Sequence, residues 1–262
     1  DLFWSSRASL IEYSKLLNEL GVPFNWQSDW NFLQAVIDFD TGTITTNGKN
    51  VVQWLREDMG ISVDPHAHET QYNYADVAYL MEVLGGMPSG VVGGLVVDPP
   101  DDSILEHFFG PIVGEQFPFY TWQPEILWGG GTKSHINEYD VMVSGIWNPT
   151  DENNYLLHDA NGPIPHIGKY KAEWTGLNVL LEKSDQNQLR RGRMHTLTIG
   201  DGLIVFGLEP TFISDQEQYF KTYLKRENVV FVTLQDAIDI WKQQYNSEGH
   251  AISWQQHIDK GN

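Results

Sequence analysis

The segment Asp64-Pro65-His66-Ala67-His68-Glu69 gathers more chemically capable side chains than any other stretch of the chain. Two imidazoles one residue apart can bind a single divalent ion, and a neighbouring carboxylate can complete or tune the site. This requires an extended backbone, in which alternate residues share a face. Asp64, His66 and His68 then point one way and Val63 the other. Glu69, at the start of the following loop, is a candidate general base, and Asp64 is a second. Pro65 removes one ladder hydrogen bond without breaking the alternation. The alternative is that both histidines are structural or only bind substrate, held by hydrogen bonds to backbone.

A third metal ligand has to come from elsewhere. His135 ranks first because it follows Gly129-Gly130-Gly131-Thr132 at the exit of a predicted strand. His158 with Asp159, and His166 within Gly162-Pro-Ile-Pro-His166, are the other choices. His195 falls near the start of its predicted strand, the wrong end for a site. His107, His250 and His257 have no partner pattern and read as surface residues. Asp201, at the far end of the strand that begins near Arg193, joins Asp64, Glu69 and Glu125 as a candidate catalytic carboxylate. A glycosidase would use two such groups flanking a sugar bond. No GxSxG elbow, HExxH, P-loop or dinucleotide fingerprint is present.

These residues need a scaffold, and the first half of the chain supplies a regular one. Leu10, Tyr13, Leu17 and Leu20 recur at helical spacing, with Ser5 or Ser6 as cap and Gly21 as stop. A strand is predicted over 22–28, a helix over 49–59, a strand over 61–66, a helix over 75–84 and an apolar run over 91–94. Helix, glycine, strand and loop in succession is the pattern of a parallel α/β sheet or barrel, whose sites lie at the carboxyl ends of the strands. Further strands are predicted over 125–131, 193–201 and 229–234, and helices over 214–225 and 235–245. Long loops over 98–123 and 148–165 would cross the site face. Residues 1–246 read as one barrel domain and 247–262 as a polar tail.

The composition agrees with an α/β fold and narrows the partners. Of 262 residues, 41% are apolar and 13% aromatic, enough for a large core. Ten Trp and eleven Tyr exceed what packing alone demands, so some are expected to stack on sugar. Trp26, Tyr72 and Trp128 are the candidate platforms, with His158 as a polar substrate contact. Core packing accounts for the others. A net charge of −19 repels phosphate backbones and anionic membrane surfaces, which argues against a nucleic acid ligand. Cysteine is absent, so thiol chemistry and disulfides are excluded. No apolar stretch approaches transmembrane length, so no membrane insertion is expected.

Three stretches together resemble the polysaccharide deacetylase group of the glycoside hydrolase/deacetylase barrel superfamily. They are Leu16 to Phe24 (LLNELGVPF), Gly60 to His68 (GISVDPHAH) and Val229 to Trp241 (VVFVTLQDAIDIW). The resemblance covers about half the chain, and only the histidine segment is specific. It implies a distorted (β/α)7-type barrel with long loops over the carboxyl-end face. It also implies a divalent metal, usually zinc, carried by His66 with His68, that activates water against an acetamide or ester on a sugar. Three features depart from the group: Thr70 stands where its second histidine falls, the aspartate pair of its first strand has no counterpart, and its late histidine is missing near Gly200-Asp201. The expected activity is metal-dependent removal of an acyl group from a carbohydrate, in a secreted or periplasmic protein. A metal-free glycosidase or polysaccharide lyase, and a non-catalytic carbohydrate-binding barrel, are the alternatives.

Overall fold

The computed structural model describes residues 2–67, 71–93, 104–129, 143–151, 154–168, 174–189, 191–199 and 211–253. In chain order, α1 is Leu2–Leu20, β1 Asn25–Ser28, α2 Trp30–Phe39, α3 Val51–Glu57, β2 Ser62–Pro65 and α4 Tyr74–Val83. Then follow β3 Val91–Val92, α5 Ile104–His107, β4 Ile112–Val113, β5 Thr121–Trp122, β6 Ile126–Gly129, β7 Val143–Ser144 and β8 Ile146–Trp147. The order closes with β9 His166–Gly168, α6 Trp174–Asp185, α7 Phe212–Tyr223, α8 Leu234–Tyr245 and β10 Ile252–Ser253. The chain divides into two compact units, one drawn from Asp1–Ser89, Glu115–Tyr120 and Asp201–Thr233, the other from Gly90–Gly114, Thr121–Gly200 and Leu234–Asn262.

The first unit is built on the parallel pair β1–β2, with Trp26 opposite Val63 and Gln27 opposite Asp64. Its apolar core comes from α1 (Leu10, Leu17), α2 (Leu33, Val36), α3 (Val52, Leu55) and α4 (Val77, Met81). Helix α2 is a helix that the sequence pattern left unassigned. Asp29 caps it, its carboxylate accepting the Phe32 N–H at 3.0 Å. Helix α1 starts earlier than expected, at Leu2. Ser5 is therefore no cap, and its hydroxyl donates back to the Leu2 carbonyl at 3.2 Å. Gly86 lets the chain turn closely into the core, since a Cβ there would lie 3.0 Å from both Val52 and Val63. Val63 therefore faces the helical coat, as the alternation argument requires. Arg7 and Asp40 form a buried ion pair at 2.6 Å. The same Arg7 donates to Thr46 at 3.0 Å, and Asp40 accepts the Val51 N–H at 2.8 Å, so one network ties α1 to the entry of α3.

The second unit holds the four-stranded sheet in the order β3-β6-β9-β8. Strands β3, β6 and β9 run parallel, and β8 closes the edge antiparallel to β9. Leu127, Ile146, Trp147, Ile167 and Tyr155 are buried around it, as are Ile238 and Trp241 of α8.

The expected (β/α)7-type barrel is corrected by this topology. Among the described residues the strands form sheets of two, two, four and two members, and no closed barrel is formed. The parallel run stops where β8 joins with the opposite sense. Two predicted strands are also not strands. Residues 193–199 are irregular, held instead by Thr196: its hydroxyl donates to the Gly168 carbonyl at 2.7 Å and its N–H to the Ser144 hydroxyl at 2.9 Å. Residues 229–233 are irregular too. Val229 makes a turn-type bond to the Arg226 carbonyl at 3.2 Å, and Val230 is 74% exposed. An apolar β-branched run becomes a strand only where a neighbour supplies the ladder and buries one face. The 98–123 region contains α5 and the antiparallel pair β4–β5. In the polar tail, β10 pairs antiparallel with β7.

Candidate functional site

Strand β2 positions Asp64 and His66 as the sequence pattern requires. Asp64 is 0% exposed and lies on the face opposite Val63. Among the described residues its carboxylate accepts from the Asn25 side-chain amide at 2.7 Å, the Ser89 hydroxyl at 2.7 Å and the Ser89 N–H at 2.7 Å. Asn25 in turn accepts from the Gln27 side chain at 2.9 Å. One face of the β1–β2 pair is therefore polar, carrying Asn25, Gln27 and Asp64. A buried carboxylate is stable only when its oxygens are satisfied, and here they are committed to fixing β1 and the turn at Ser89. Asp64 thus ties β2 to β1 and to the turn at Ser89.

His66 follows immediately. Its N–H donates to the Ser28 carbonyl at 2.9 Å, which extends the ladder one residue beyond β2 and keeps the backbone extended. The imidazole lies two residues beyond Asp64 and is half-buried rather than sealed. His68, Glu69, His135 and Asp201 lie outside the described residues. Among the described residues no group of three or more His, Asp or Glu could hold a metal ion. Of the first-ranked ligands the described residues thus contribute His66, while His68 and His135 belong to segments not described.

The candidate sugar contacts separate. Trp26 lies on the face of β1 opposite Asn25 and Gln27. It is buried, with its ring edge-to-face on Phe32 at 5.6 Å, so it packs the core instead of lining the polar face. Tyr72, in the connection between β2 and α4, is half-buried and stacks on Trp30 at 4.8 Å. Trp128 in β6 and His158 belong to the second unit. The Trp128 indole N–H donates to Thr198 at 2.8 Å. The His158 Nδ1 accepts the Asn148 N–H at 3.1 Å, and its ring meets Trp241 edge-to-face at 6.1 Å. Burial lowers the His158 pKa, and the Asp159 charge opposes that shift.

Other histidines differ from expectation. His166 is 1% exposed at the start of β9, with Tyr155 Oη 2.9 Å from its Nδ1 and Trp147 edge-to-face at 4.4 Å. It is a core residue. His250, expected at the surface, is buried with its ring 5.9 Å from that of His195, and its N–H donates to the Ile146 carbonyl at 3.0 Å.

Sequence reasoning missed Asn25, Gln27 and Ser89, which hold Asp64. The alternation Asn25-Trp26-Gln27 was the available signal for the first two. It also missed Asp76 in α4, whose buried carboxylate accepts the N–H groups of Asn73, Glu115, Gln116 and Phe117 at 2.9–3.1 Å. The capping-box spacing Asn73 to Asp76 was visible in the sequence, but the loop partner far along the chain was not.

Compared with protein-family models, with curated proteins and with solved structures, the chain has no significant match.

Proposed function

We propose that the chain is a carbohydrate-directed hydrolase that removes an acyl group, with its reacting centre at the carboxyl end of β2. The observation that carries this reading is the pairing of an anchored Asp64 with a half-buried His66 on one face of a parallel strand pair. Loops leaving the carboxyl ends of parallel strands are where α/β folds place their chemistry. In the reaction, water adds to the acyl carbon, the bond from that carbon to the sugar oxygen or nitrogen breaks, and the leaving group takes up a proton.

His66 is proposed as the group nearest the reacting atoms, Asp64 as the residue that fixes its backbone, and Glu69 as the base. The half-buried amides of Asn25 and Gln27, on the same face, suit sugar hydroxyls. A divalent ion, zinc by preference for imidazole donors, is the proposed cofactor, with His66 and His68 as ligands; it would polarise the acyl carbonyl and acidify a bound water. The resemblance to polysaccharide deacetylases supports the same chemistry. Among the described residues no helix is long and apolar enough to cross a membrane. The proposed secreted or periplasmic location is compatible with that.

The test uses untagged protein and a panel of N- and O-acetylated oligosaccharides, with free acetate and chain length both measured. The reading expects acetate release that stops on chelation and returns with zinc. Shortened oligosaccharides without acetate would replace it with a glycosidase or lyase.

A further inference from the structure

Six aromatic rings of the first unit form a continuous run that the chemistry at β2 does not use. Trp30 and Tyr72 stack at 4.8 Å, Tyr72 meets Phe117 at 6.2 Å, and Phe117 meets Tyr79 at 4.5 Å. Tyr79 then meets Phe119 at 5.2 Å and Tyr120 at 5.4 Å. Phe119 is 73% exposed and none of the other five is buried. A contiguous run of partly exposed rings on a folded unit offers stacking faces to a ligand. Along the chain, Trp30 follows the carboxyl end of β1 and Tyr72 lies in the connection after β2.

The surface is ordered in advance. The buried Asp76 carboxylate gathers the N–H groups of Glu115, Gln116 and Phe117, which pins the Glu115–Tyr120 segment against α4. Tyr120 is held further by donating to Glu82 at 2.7 Å. A pre-ordered surface avoids the entropy loss that a mobile loop would suffer on binding.

Its charge names the ligand. The segments that carry the rings, 29–32, 71–83 and 115–120, contain no Lys or Arg. Exposed carboxylates border the rings instead: Asp29 beside Trp30, Glu82 against Tyr120 and Glu115 before Phe117. Aromatic faces edged by carboxylates attract cations and repel anionic glycans, nucleic acids and acidic peptides.

We propose that this run docks a glycan chain bearing free amino groups, with pyranose faces on the rings and ammonium groups beside Asp29, Glu82 and Glu115. The proposal rests on the acyl-removing reading above. Hydrolysis of a sugar acetamide breaks the acyl C–N bond, transfers the water hydroxyl to the acyl carbon and leaves acetate and a protonated amine. The surface would then hold the stretch of chain already deacetylated.

Calorimetric titration of the full chain with glucosamine oligomers tests this without turnover, because such an oligomer has no acetyl group left to lose. The expected result is saturable binding, weakened roughly tenfold in the fully N-acetylated oligomer and roughly tenfold by Phe119→Ala. Glu115→Gln, which leaves the backbone clamp on Asp76 intact, should reduce the salt dependence of binding. Equal binding of both oligomers would overturn the proposal, as would binding unchanged by Phe119→Ala, or capture of a proline-rich peptide but no glycan. Failure of the hydrolase reading shows separately, as absence of acetate release from the acetylated oligomer.

Discussion

His66 and His166 both adjoin parallel strands, yet their surroundings give them opposite roles. His66 extends the end of β2, on the edge of a polar face, and stays half-buried. His166 opens β9, with Leu127 opposite it in β6 and Trp147 opposite it in β8, and Tyr155 closes over its ring. Tyr155 and Trp147 packed on the His166 ring seal it, whereas the residue just past a strand end stands where loops diverge. Position relative to the carboxyl end, rather than residue type, separates a candidate reacting group from a core group.

The contrast can be attacked first at the anchor. Asp64→Ala should destabilise the first unit by about 3 kcal/mol, because Asn25 and Ser89 lose their buried acceptor. Urea unfolding checks this, and a loss no larger than a surface substitution would remove Asp64 from its role. His166→Ala should cost about 2 kcal/mol from the lost Tyr155 hydrogen bond and the cavity left behind. Activity per folded molecule should be unchanged. Tyr155→Phe isolates the hydrogen bond and should cost about 1 kcal/mol in the same assay. The smallest effect concerns pH. Burial holds the His158 pKa below its ordinary value, so the unfolded chain binds the proton more readily. Its contribution to stability is therefore present above about pH 6.5 and is lost as pH falls toward the lower folded value. Thermal melts at neutral and mildly acidic pH should show that decline, shallower in His158→Gln.

Much of the first unit was legible in the sequence, because its signals are local. Gly21, Gly60 and Gly85 end helices with positive φ, and the apolar spacing of α1, α3 and α4 places Leu10, Val52 and Val77 inward. The shared face of Asp64 and His66 followed from the period of a strand alone. What failed depends on partners distant in sequence. The runs at 193–199 and 229–233 have strand-like composition, but among the described residues no ladder neighbour receives them. Trp26 resembled a sugar platform until its face of β1 proved to be the packed one. The clamp of Asp76 on Glu115 to Phe117 spans about forty residues and leaves no trace in local pattern.

The central claim is that an imidazole at the carboxyl end of β2 stands at the reacting centre. Acetate release from an acetylated oligosaccharide, measured for the parent chain and for His66→Ala with zinc supplied to both, addresses it directly. The account predicts a loss of at least about 100-fold with an unchanged unfolding midpoint. Parent-level release by the His66→Ala chain would contradict it.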